Sequence, residues 1–242
     1  MKTKIESTAN SVFKKFLSLT TSKGLKTEGL FILCGEKLIR EFLQKPNLEI
    51  NAEVIPEGGS AITHSKSIFE LSSPLFKELD TQGTHFNLLI LAQPTITAFD
   101  PEASPQGLEV ICPLGDPSNL GAILRSAEAF GVSRVILTQE AANPFLPKSV
   151  KAAAGSLLRI PLLKAGPLQE LNSNLIALDQ GGTYLEDFAW PKNCRLLVGE
   201  EGPGLRGLKF KQTLSVRTRG VESLNAVVAA SLAFHEYARK NL

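Results

Sequence analysis

Residues 108–132 read LEVICPLGDPSNLGAILRSAEAFGV, an apolar strand that leads through a turn into an amphipathic helix. Asp116 is a favourable N-cap residue, Pro117 is favourable at the first helical position, and Gly131 is favourable at the position just after a helix ends. This spacing predicts a helix over 117–130. Its apolar residues form one stripe that must face a sheet: Leu120, Ile123, Leu124, Ala127 and Phe130. A buried strand followed by a covering helix is the repeating unit of a parallel α/β sheet.

The same alternation continues towards the C-terminus. Further strands are predicted at Arg134–Thr138, Leu157–Leu162, Leu175–Asp179, Arg195–Val198 and Leu214–Val216. A last helix is predicted to run to about Lys240, with Val228, Leu232 and Phe234 in its apolar stripe. Upstream, residues 1–97 resemble a small mixed α/β unit, and the Pro- and Gly-rich stretch after it is typical of a linker. We therefore predict two domains, 1–97 and 108–242, joined by a linker over 98–107.

Composition excludes several classes of protein. Of the 242 residues, 43% are hydrophobic and 21% charged, which is typical of a globular chain. No apolar run is long enough to span a bilayer, and the first residues lack the apolar core of a signal peptide, so we expect a cytoplasmic protein. The three cysteines are odd in number and far apart, and the three histidines form no paired motif. This pattern argues against a disulfide framework, a metal site and redox chemistry.

The charge is concentrated at the N-terminus. The net charge is only +2, but residues 1–27 contain six lysines against one acid, Glu6. Such a segment favours a polyanionic partner, with nucleic acid the natural choice. A solvated, frayed terminus explains the same charge, and composition alone leaves both interpretations open.

Three segments follow predicted strands, where ligands of parallel sheets usually bind. The first is 115–132, in which Arg125 lies opposite the apolar stripe of the helix. The second is LLVGEEGPGL, residues 196–205, and the third is LSVRTRGVESLN, residues 214–225. Each has a purely structural explanation: an ion pair from Arg125 to Glu128, a glycine-rich turn, and a helix start that Ser223 caps while Asn225 satisfies backbone groups.

Taken together, the three segments resemble the SpoU (TrmH) family of SPOUT RNA methyltransferases. The shared patterns are Asp-Pro-x-Asn-x-Gly-x-x-x-Arg, Gly-x-Glu-Gly-x-Gly-Leu and Glu-Ser-Leu-Asn, in that order. The resemblance implies a parallel-sheet SPOUT domain with a C-terminal trefoil knot. Residues 1–97, through the stretch 29–37, are similar to the L30e-like RNA substrate-binding domain that often precedes it.

The resemblance also implies a reaction and a site. The reaction is methyl transfer from S-adenosyl-L-methionine to a ribose 2′-hydroxyl of structured RNA. The resemblance favours rRNA over tRNA as the substrate. It also implies that the enzyme is a homodimer and needs no metal. Arg125 and Asn119 correspond to the catalytic residues. The cofactor-binding positions are Gly199, Glu201, Val216, Ser223, Leu224 and Asn225. From their charge, Lys23, Lys26 and Lys151 are expected to bind RNA.

This chain departs from the family pattern at three places. It has Val216-Arg217-Thr218 where the family commonly has Ile-Pro-Met, in a turn that normally contacts the cofactor. Hydroxyls are missing at Val227 and Ala153. These departures support an alternative, a non-catalytic RNA-binding or ribosome-assembly protein that retains the fold. A dehydrogenase is disfavoured because no Gly-x-Gly-x-x-Gly fingerprint follows a strand.

Overall fold

The computed structural model describes residues 2–171, 175–199, 210–221 and 223–241. The strands are β1 (Lys2–Ile5), β2 (Leu30–Leu33), β3 (Ile50–Pro56), β4 (Ile68–Leu71), β5 (Leu88–Ala92), β6 (Thr97–Ala98), β7 (Leu108–Cys112), β8 (Arg134–Leu137), β9 (Leu162–Lys164), β10 (Ile176–Tyr184), β11 (Cys194–Val198) and β12 (Gln212–Ser215). The α-helices are α1 (Ser11–Ser18), α2 (Ser22–Glu28), α3 (Glu36–Gln44), α4 (Ser73–Leu79), α5 (Pro117–Ala129), α6 (Pro147–Ala153) and α7 (Ala226–Asn241). Short 3₁₀ helices occupy Ser156–Leu158 and Leu168–Glu170.

The contacts divide the chain into two compact units. The first unit combines Met1–Thr95 with Asn143–Ala154, and the second combines Ile96–Ala142 with Gly155–Leu242. Residues 98–107 thus group with the second unit, and α6 groups with the first. The domain bounds 1–97 and 108–242 stay a prediction. Within the described ranges, no helix is long and apolar enough to cross a membrane.

The first unit is built on a five-stranded mixed sheet in the order β1-β4-β3-β5-β2. Strands β1, β4 and β3 run parallel, and β5 is antiparallel to both of its neighbours. Strand β2 is buried along its whole length, and the Phe31 ring lies 5.1 Å from that of Phe145. Helix α1 begins where Asn10 Oδ1 accepts the backbone N–H groups of Val12 and Phe13.

The N-terminus is folded, so the interpretation of a frayed end is wrong. β1 pairs in register with β4 along four residues, and a parallel ladder leaves no free arm there. Lys2 pairs with Glu70 at 2.5 Å, and Lys4 pairs with Glu6 at 2.7 Å. Several lysines of the basic segment are therefore neutralised locally, and fewer are available to a polyanion than composition suggests.

The second unit contains a seven-stranded sheet in the order β12-β10-β11-β7-β8-β9-β6, with parallel pairing throughout. A buried apolar cluster covers it: Ile111, Ile136, Ala165, Leu175, Ala177 and Leu197. Because β7, β8 and β11 are buried strands, their near-continuous apolar sequences are what a parallel sheet requires. The segment that joins β11 to β12 lies mostly outside the described residues, and the trefoil knot stays a prediction.

A buried carboxylate fastens the start of this sheet. Glu109 is 1% exposed; its Oε2 accepts Arg195 Nε at 2.9 Å and its Oε1 lies 3.1 Å from Arg134 Nε. Arg195 also donates to the carbonyls of Pro101 and Ala103. The segment after β6 is therefore held against the sheet rather than left as a free linker.

Candidate functional site

The carboxyl ends of four strands meet at one edge of the second sheet. Leu178 of β10 pairs with Val198 of β11 on one side and with Leu214 of β12 on the other, and Leu197 pairs with Ile111 of β7. The residues that follow these strands therefore lie at the same level. Gly199 and Val216 are brought to this edge, separated by the width of β10, and both are partly exposed.

Strand β10 bends around the end of β12. Its register on β12 shifts between Leu178 and Thr183, so that Leu214 pairs with both of them. Gly181 has φ +75°, and a side chain on Gly182 would collide with the Thr213 backbone. The strand predicted from sequence ends at Asp179 and lacks this extension. The adjacent glycines, which permit a bulge, were the available signal.

The turn after β12 is fastened to the same extension. Ser215 Oγ donates to the Gly182 carbonyl at 2.9 Å, and Leu185 N donates to the Ser215 carbonyl at 3.0 Å. Arg217 Nε donates to Glu186 Oε1 at 2.9 Å, and its guanidinium carbon lies 4.0 Å from the Tyr184 ring centroid. Glu186 holds the pKa of Arg217 above its usual value.

Helix α5 starts as the sequence predicts. Asp116 Oδ1 accepts Asn119 N at 2.8 Å, Pro117 occupies the first turn, and Gly131 follows the helix with φ +71°. Leu120, Ile123, Leu124 and Ala127 are fully buried, and Phe130 is partly buried. The observed helix, Pro117–Ala129, agrees with the predicted range to within one residue.

Arg125 lies on the outer face of α5 and is exposed. The ion pair with Glu128 that sequence analysis offered as an explanation is wrong, since Glu128 has other partners. Its Oε1 lies 2.5 Å from Arg159 Nε, and its Oε2 accepts Ser156 Oγ at 2.5 Å. Arg159 holds the pKa of Glu128 below its usual range. Over the described ranges, Arg125 makes no hydrogen bond or ion pair, which leaves its guanidinium available to a ligand.

The start of α7 completes the list of predicted cofactor positions. Asn225 Oδ1 accepts Val227 N at 2.9 Å, so Asn225 caps the helix, and the idea that Ser223 does so is wrong. Ser223 is exposed and Leu224 is partly exposed. The remaining position, Glu201, lies outside the described residues. Among the described residues, no backbone hydrogen bond joins Leu224 to Gly199 or Val216.

Helices α5 and α7 pack side by side. Ser231 Oγ donates to Ser126 Oγ at 2.7 Å, and the Phe130 and His235 rings meet edge to face with centroids 5.6 Å apart. The buried face of α7 is formed by Ala226, Ala230, Ala233, Phe234 and Tyr237. The predicted apolar stripe is therefore wrong for two of its members: Val228 is 48% exposed and Leu232 is 40% exposed.

Burial determines the chemistry of the cysteine thiols. All three cysteines are buried and free, and burial raises the pKa of Cys34 to about 11 and that of Cys194 to about 12. Both thiols are therefore protonated at neutral pH and are poor nucleophiles or metal ligands. Among the described residues, no group of three or more His, Cys, Asp or Glu side chains is placed to hold a metal ion.

The predicted RNA-binding lysines all lie in the first unit. Lys23 and Lys26 are exposed on α2, and neither forms an ion pair with another described residue. Their neighbour Lys15 is paired with Glu28 at 3.1 Å. Lys151 is exposed on α6, where its Nζ donates to the Gln82 carbonyl at 3.1 Å. The cations on α2 are thus the freer of the predicted set.

Comparison with known proteins decides the family. Residues 110–235, slightly more than half of the chain, match the model of the SpoU rRNA Methylase family. The chain belongs to this family. The matched range begins in β7 and ends within α7, so it includes all three segments on which the resemblance was based.

Two relatives align with nearly the whole chain. Ribosomal RNA small subunit methyltransferase G 2 of Syntrophobacter fumaroxidans is 34% identical over 247 residues, covering 98% of this chain and 49% of that protein. The chain thus spans about half the length of this relative. The 23S rRNA (guanosine(2553)-2′-O)-methyltransferase RlmP of Bacillus subtilis is 28% identical over 246 residues, covering 96% of this chain and 98% of that protein.

Solved structures agree on the fold. An AdoMet-bound rRNA methyltransferase from Sinorhizobium meliloti superposes with a TM-score of 0.79 at 23% identity, covering 100% of this chain and 99% of that one. The SpoU methyltransferase AviRb from Streptomyces viridochromogenes, in complex with AdoMet, superposes with a TM-score of 0.79 at 22% identity. The superposition covers 95% of this chain and 97% of that one. The predicted family and the parallel α/β fold are confirmed. The roles of the individual site residues and the L30e-like identity of the first unit stay predictions.

Proposed function

We propose that this chain transfers the methyl group of S-adenosylmethionine to a ribose 2′-hydroxyl of ribosomal RNA. Three features support the proposal together: membership of the SpoU rRNA methylase family, the 2′-O activity in the name of the Bacillus relative, and the bound AdoMet in the Sinorhizobium and Streptomyces structures. The observation that carries it is the meeting of Gly199 and Val216 at one sheet edge, in the chain order that the family pattern requires.

The strand-end residues fit the cofactor chemically. Gly199, Val216 and Leu224 are all partly exposed, and their backbone N–H and C=O groups complement the donors and acceptors of an adenine. The side chains of Val216 and Leu224 provide apolar surface for its ring. Ser223 is exposed and offers a hydroxyl, whereas the Asn225 side chain is occupied by the helix cap. The bound cofactor supplies a methyl group already activated by its sulfonium.

The protein must align the ribose hydroxyl and assist loss of its proton. We assign Arg125 to the contact with the ribose hydroxyl. Asn119, six residues and about 1.7 turns earlier on α5, is assigned to orienting the arginine or the ribose. A guanidinium normally stays protonated, so two roles remain open: a contact to the RNA phosphate and ribose, or proton acceptance at a strongly perturbed arginine. The pH profile of Arg125→Lys separates them, because only loss of a base changes the pH dependence of the methyl-transfer rate.

We further propose a homodimer whose interface includes the exposed face of α7. Val228 and Leu232 occupy one side of that helix, four residues apart, and each is at least 40% exposed. Exposed apolar residues at this spacing favour a partner helix. Arg125 lies on the helix that packs against α7, so a second copy covering this face also approaches Arg125.

Mixing two inactive variants tests whether the site is shared between protomers. Arg125→Ala removes the reacting group, and Leu224→Glu removes the cofactor pocket. If each site combines the pocket of one protomer with the arginine of its partner, random exchange restores about one quarter of the wild-type sites. No recovery after exchange would place Arg125 and the pocket in the same chain.

We propose that RNA contacts the first unit through α2. Lys23 and Lys26 present two cations without a competing acid among the described residues, and Lys151 adds a third from α6. Replacing Lys23 and Lys26 by alanine should weaken rRNA binding and make the dependence on salt shallower, since fewer counterions are released. Lys77→Ala, in the last turn of α4, is the matched control. An unchanged salt slope in the double variant would remove α2 from the interface.

A non-catalytic RNA-binding protein remains the second candidate because Arg217 replaces a common family residue beside the cofactor position. Calorimetry with S-adenosylmethionine separates the two, and absence of heat at high cofactor concentration would favour the non-catalytic protein. Mapping ribose methylation in total RNA from cells with and without the gene then identifies the nucleotide. We place the protein in the cytoplasm, together with its proposed rRNA substrate.

A further inference from the structure

Arg217 occupies the turn where this chain departs most from its family pattern. The turn 216–218 leaves β12, which lies at the end of the sheet order and, within the described ranges, pairs with β10 alone. A short segment at a sheet edge has few partners that restrict its backbone. Something else must fix this turn if it is to present its backbone to a ligand.

The Arg217 side chain makes three contacts, one with the last residue of β10 and two with the turn that follows it. Its guanidinium carbon lies 4.0 Å from the Tyr184 ring centroid, Nε donates to Glu186 Oε1 at 2.9 Å, and an Nη atom lies 3.6 Å from Asp187 Oδ2. A guanidinium that both stacks on a ring and pairs with a carboxylate is held in position and direction, which a lysine ammonium cannot reproduce.

The surface that receives Arg217 is itself fixed. Lys240, at the end of α7, donates to the carbonyls of Glu186 at 2.7 Å and Phe188 at 3.0 Å. Leu185 N donates to the Ser215 carbonyl at 3.0 Å, which ties the extension to the end of β12. The contacts of Arg217 therefore join the turn to a segment that is already fastened on two sides.

We propose that Arg217 is a positioning residue for cofactor binding, which acts by holding the turn 216–218 against Tyr184 and Glu186 in its ligand-receiving conformation. This inference rests on the proposed function, in which Val216 contributes backbone to S-adenosylmethionine. Arg217 itself need not touch the cofactor. The added charge is then a replacement for the rigidity of a proline rather than a sign of lost activity.

The exposure of Arg217 and its partners limits the expected change in cofactor affinity. The Arg217 and Glu186 side chains are 59% and 45% exposed, so their ion pair and the ring stack are modest interactions. Without these interactions the turn samples other conformations. The apparent dissociation constant of the cofactor then equals the intrinsic constant divided by the fraction of molecules whose turn has the ligand-receiving conformation. We expect the dissociation constant of S-adenosylmethionine to rise about fivefold in Arg217→Ala.

Titration calorimetry with S-adenosylmethionine tests the proposal on the full chain. Arg217→Ala, Glu186→Gln and Tyr184→Leu should each weaken binding, and Arg217→Ala with Glu186→Gln together should weaken it no more than Arg217→Ala alone. Arg219→Ala, an exposed arginine two residues further on, is the matched control and should stay within about twofold of wild type. In turnover, KM for S-adenosylmethionine rises in Arg217→Ala while kcat at saturating cofactor is retained.

Two results would overturn the inference. Unchanged cofactor affinity in Arg217→Ala, whatever happens to its melting temperature, would leave Arg217 a merely structural residue. Additive losses in the double variant would show that Arg217 and Glu186 act separately. If wild type itself fails to bind S-adenosylmethionine, the proposed function fails instead. If Arg217→Ala does not fold, Tyr184→Leu and Glu186→Gln decide the question, since both leave the arginine in place.

Discussion

Replacement of Arg125 by alanine should separate chemistry from folding. Arg125 is exposed, and among the described residues it makes no hydrogen bond or ion pair, so its removal breaks no polar interaction within that part of the chain. Alanine also has the highest helix propensity, and the position is inside α5. The free energy of unfolding should therefore change by no more than about 0.5 kcal/mol. Urea unfolding measures this change.

Methyl transfer should nevertheless collapse in Arg125→Ala. A side chain that positions a reacting hydroxyl or accepts its proton is worth about 10²–10⁴ in rate, which corresponds to about 3–5 kcal/mol of activation free energy. The assay is single-turnover transfer of a tritiated methyl group to rRNA, with calorimetric cofactor binding expected within about twofold of wild type. Ser118→Ala, at an exposed position of the same helix, is the control. Wild-type turnover in Arg125→Ala would refute the assignment.

Three further variants test other parts of the account. Glu109→Ala leaves Arg195 without its buried partner. The free energy of unfolding, measured by urea denaturation, should fall by about 3–5 kcal/mol. A loss below about 1 kcal/mol would contradict this expectation. Arg159 lowers the pKa of Glu128, so this stabilisation is present above the usual glutamate pKa and lost as the pH falls through the lowered value. Glu128→Gln should therefore lose up to about 1 kcal/mol at pH 7, and this loss should shrink as the pH falls through the lowered pKa of Glu128; a loss that is independent of pH would exclude an ionic origin. Leu232→Glu should give a folded monomer by light scattering, and a persisting dimer would remove α7 from the interface.

Local chemistry allowed α5 to be predicted from sequence almost to the residue. Asp116, Pro117 and Gly131 each meet a requirement of the backbone at one position, and no distant contact is needed to satisfy it. The buried strands β7, β8 and β11 were predictable for a similar reason, because a parallel sheet covered by helices needs short apolar runs.

Predictions failed where packing decides between equivalent local patterns. The apolar run Leu157–Leu162 was predicted as a strand, but it begins with the 3₁₀ helix Ser156–Leu158 and reaches the sheet only at β9. Periodicity does not distinguish a buried turn from a buried strand. Likewise, α7 carries apolar residues on two faces, and only the position of α5 shows that Val228 and Leu232 face outwards.

The candidate site was predictable as an ordered set of segments, not as a set of contacts. Chain order indicated that Gly199 and Val216 follow two successive strands of the chain, and the register of β10 with β11 and β12 brings both to one edge. The partners of Arg217 and Glu128 were not predictable, since Glu186 and Arg159 each lie 31 residues away in sequence. Ion pairs at that separation depend on tertiary structure alone.

Alkaline hydrolysis of methylated rRNA tests the central claim most directly. The purified protein is incubated with rRNA and tritiated S-adenosylmethionine, and the RNA is then digested to completion in alkali. Because the 2′-hydroxyl is the internal nucleophile of this cleavage, methylation of the ribose protects the adjacent linkage. The account predicts that the label is recovered in an alkali-resistant dinucleotide. Label recovered only in mononucleotides would place the methyl group on a base, and no incorporated label would contradict methyl transfer itself.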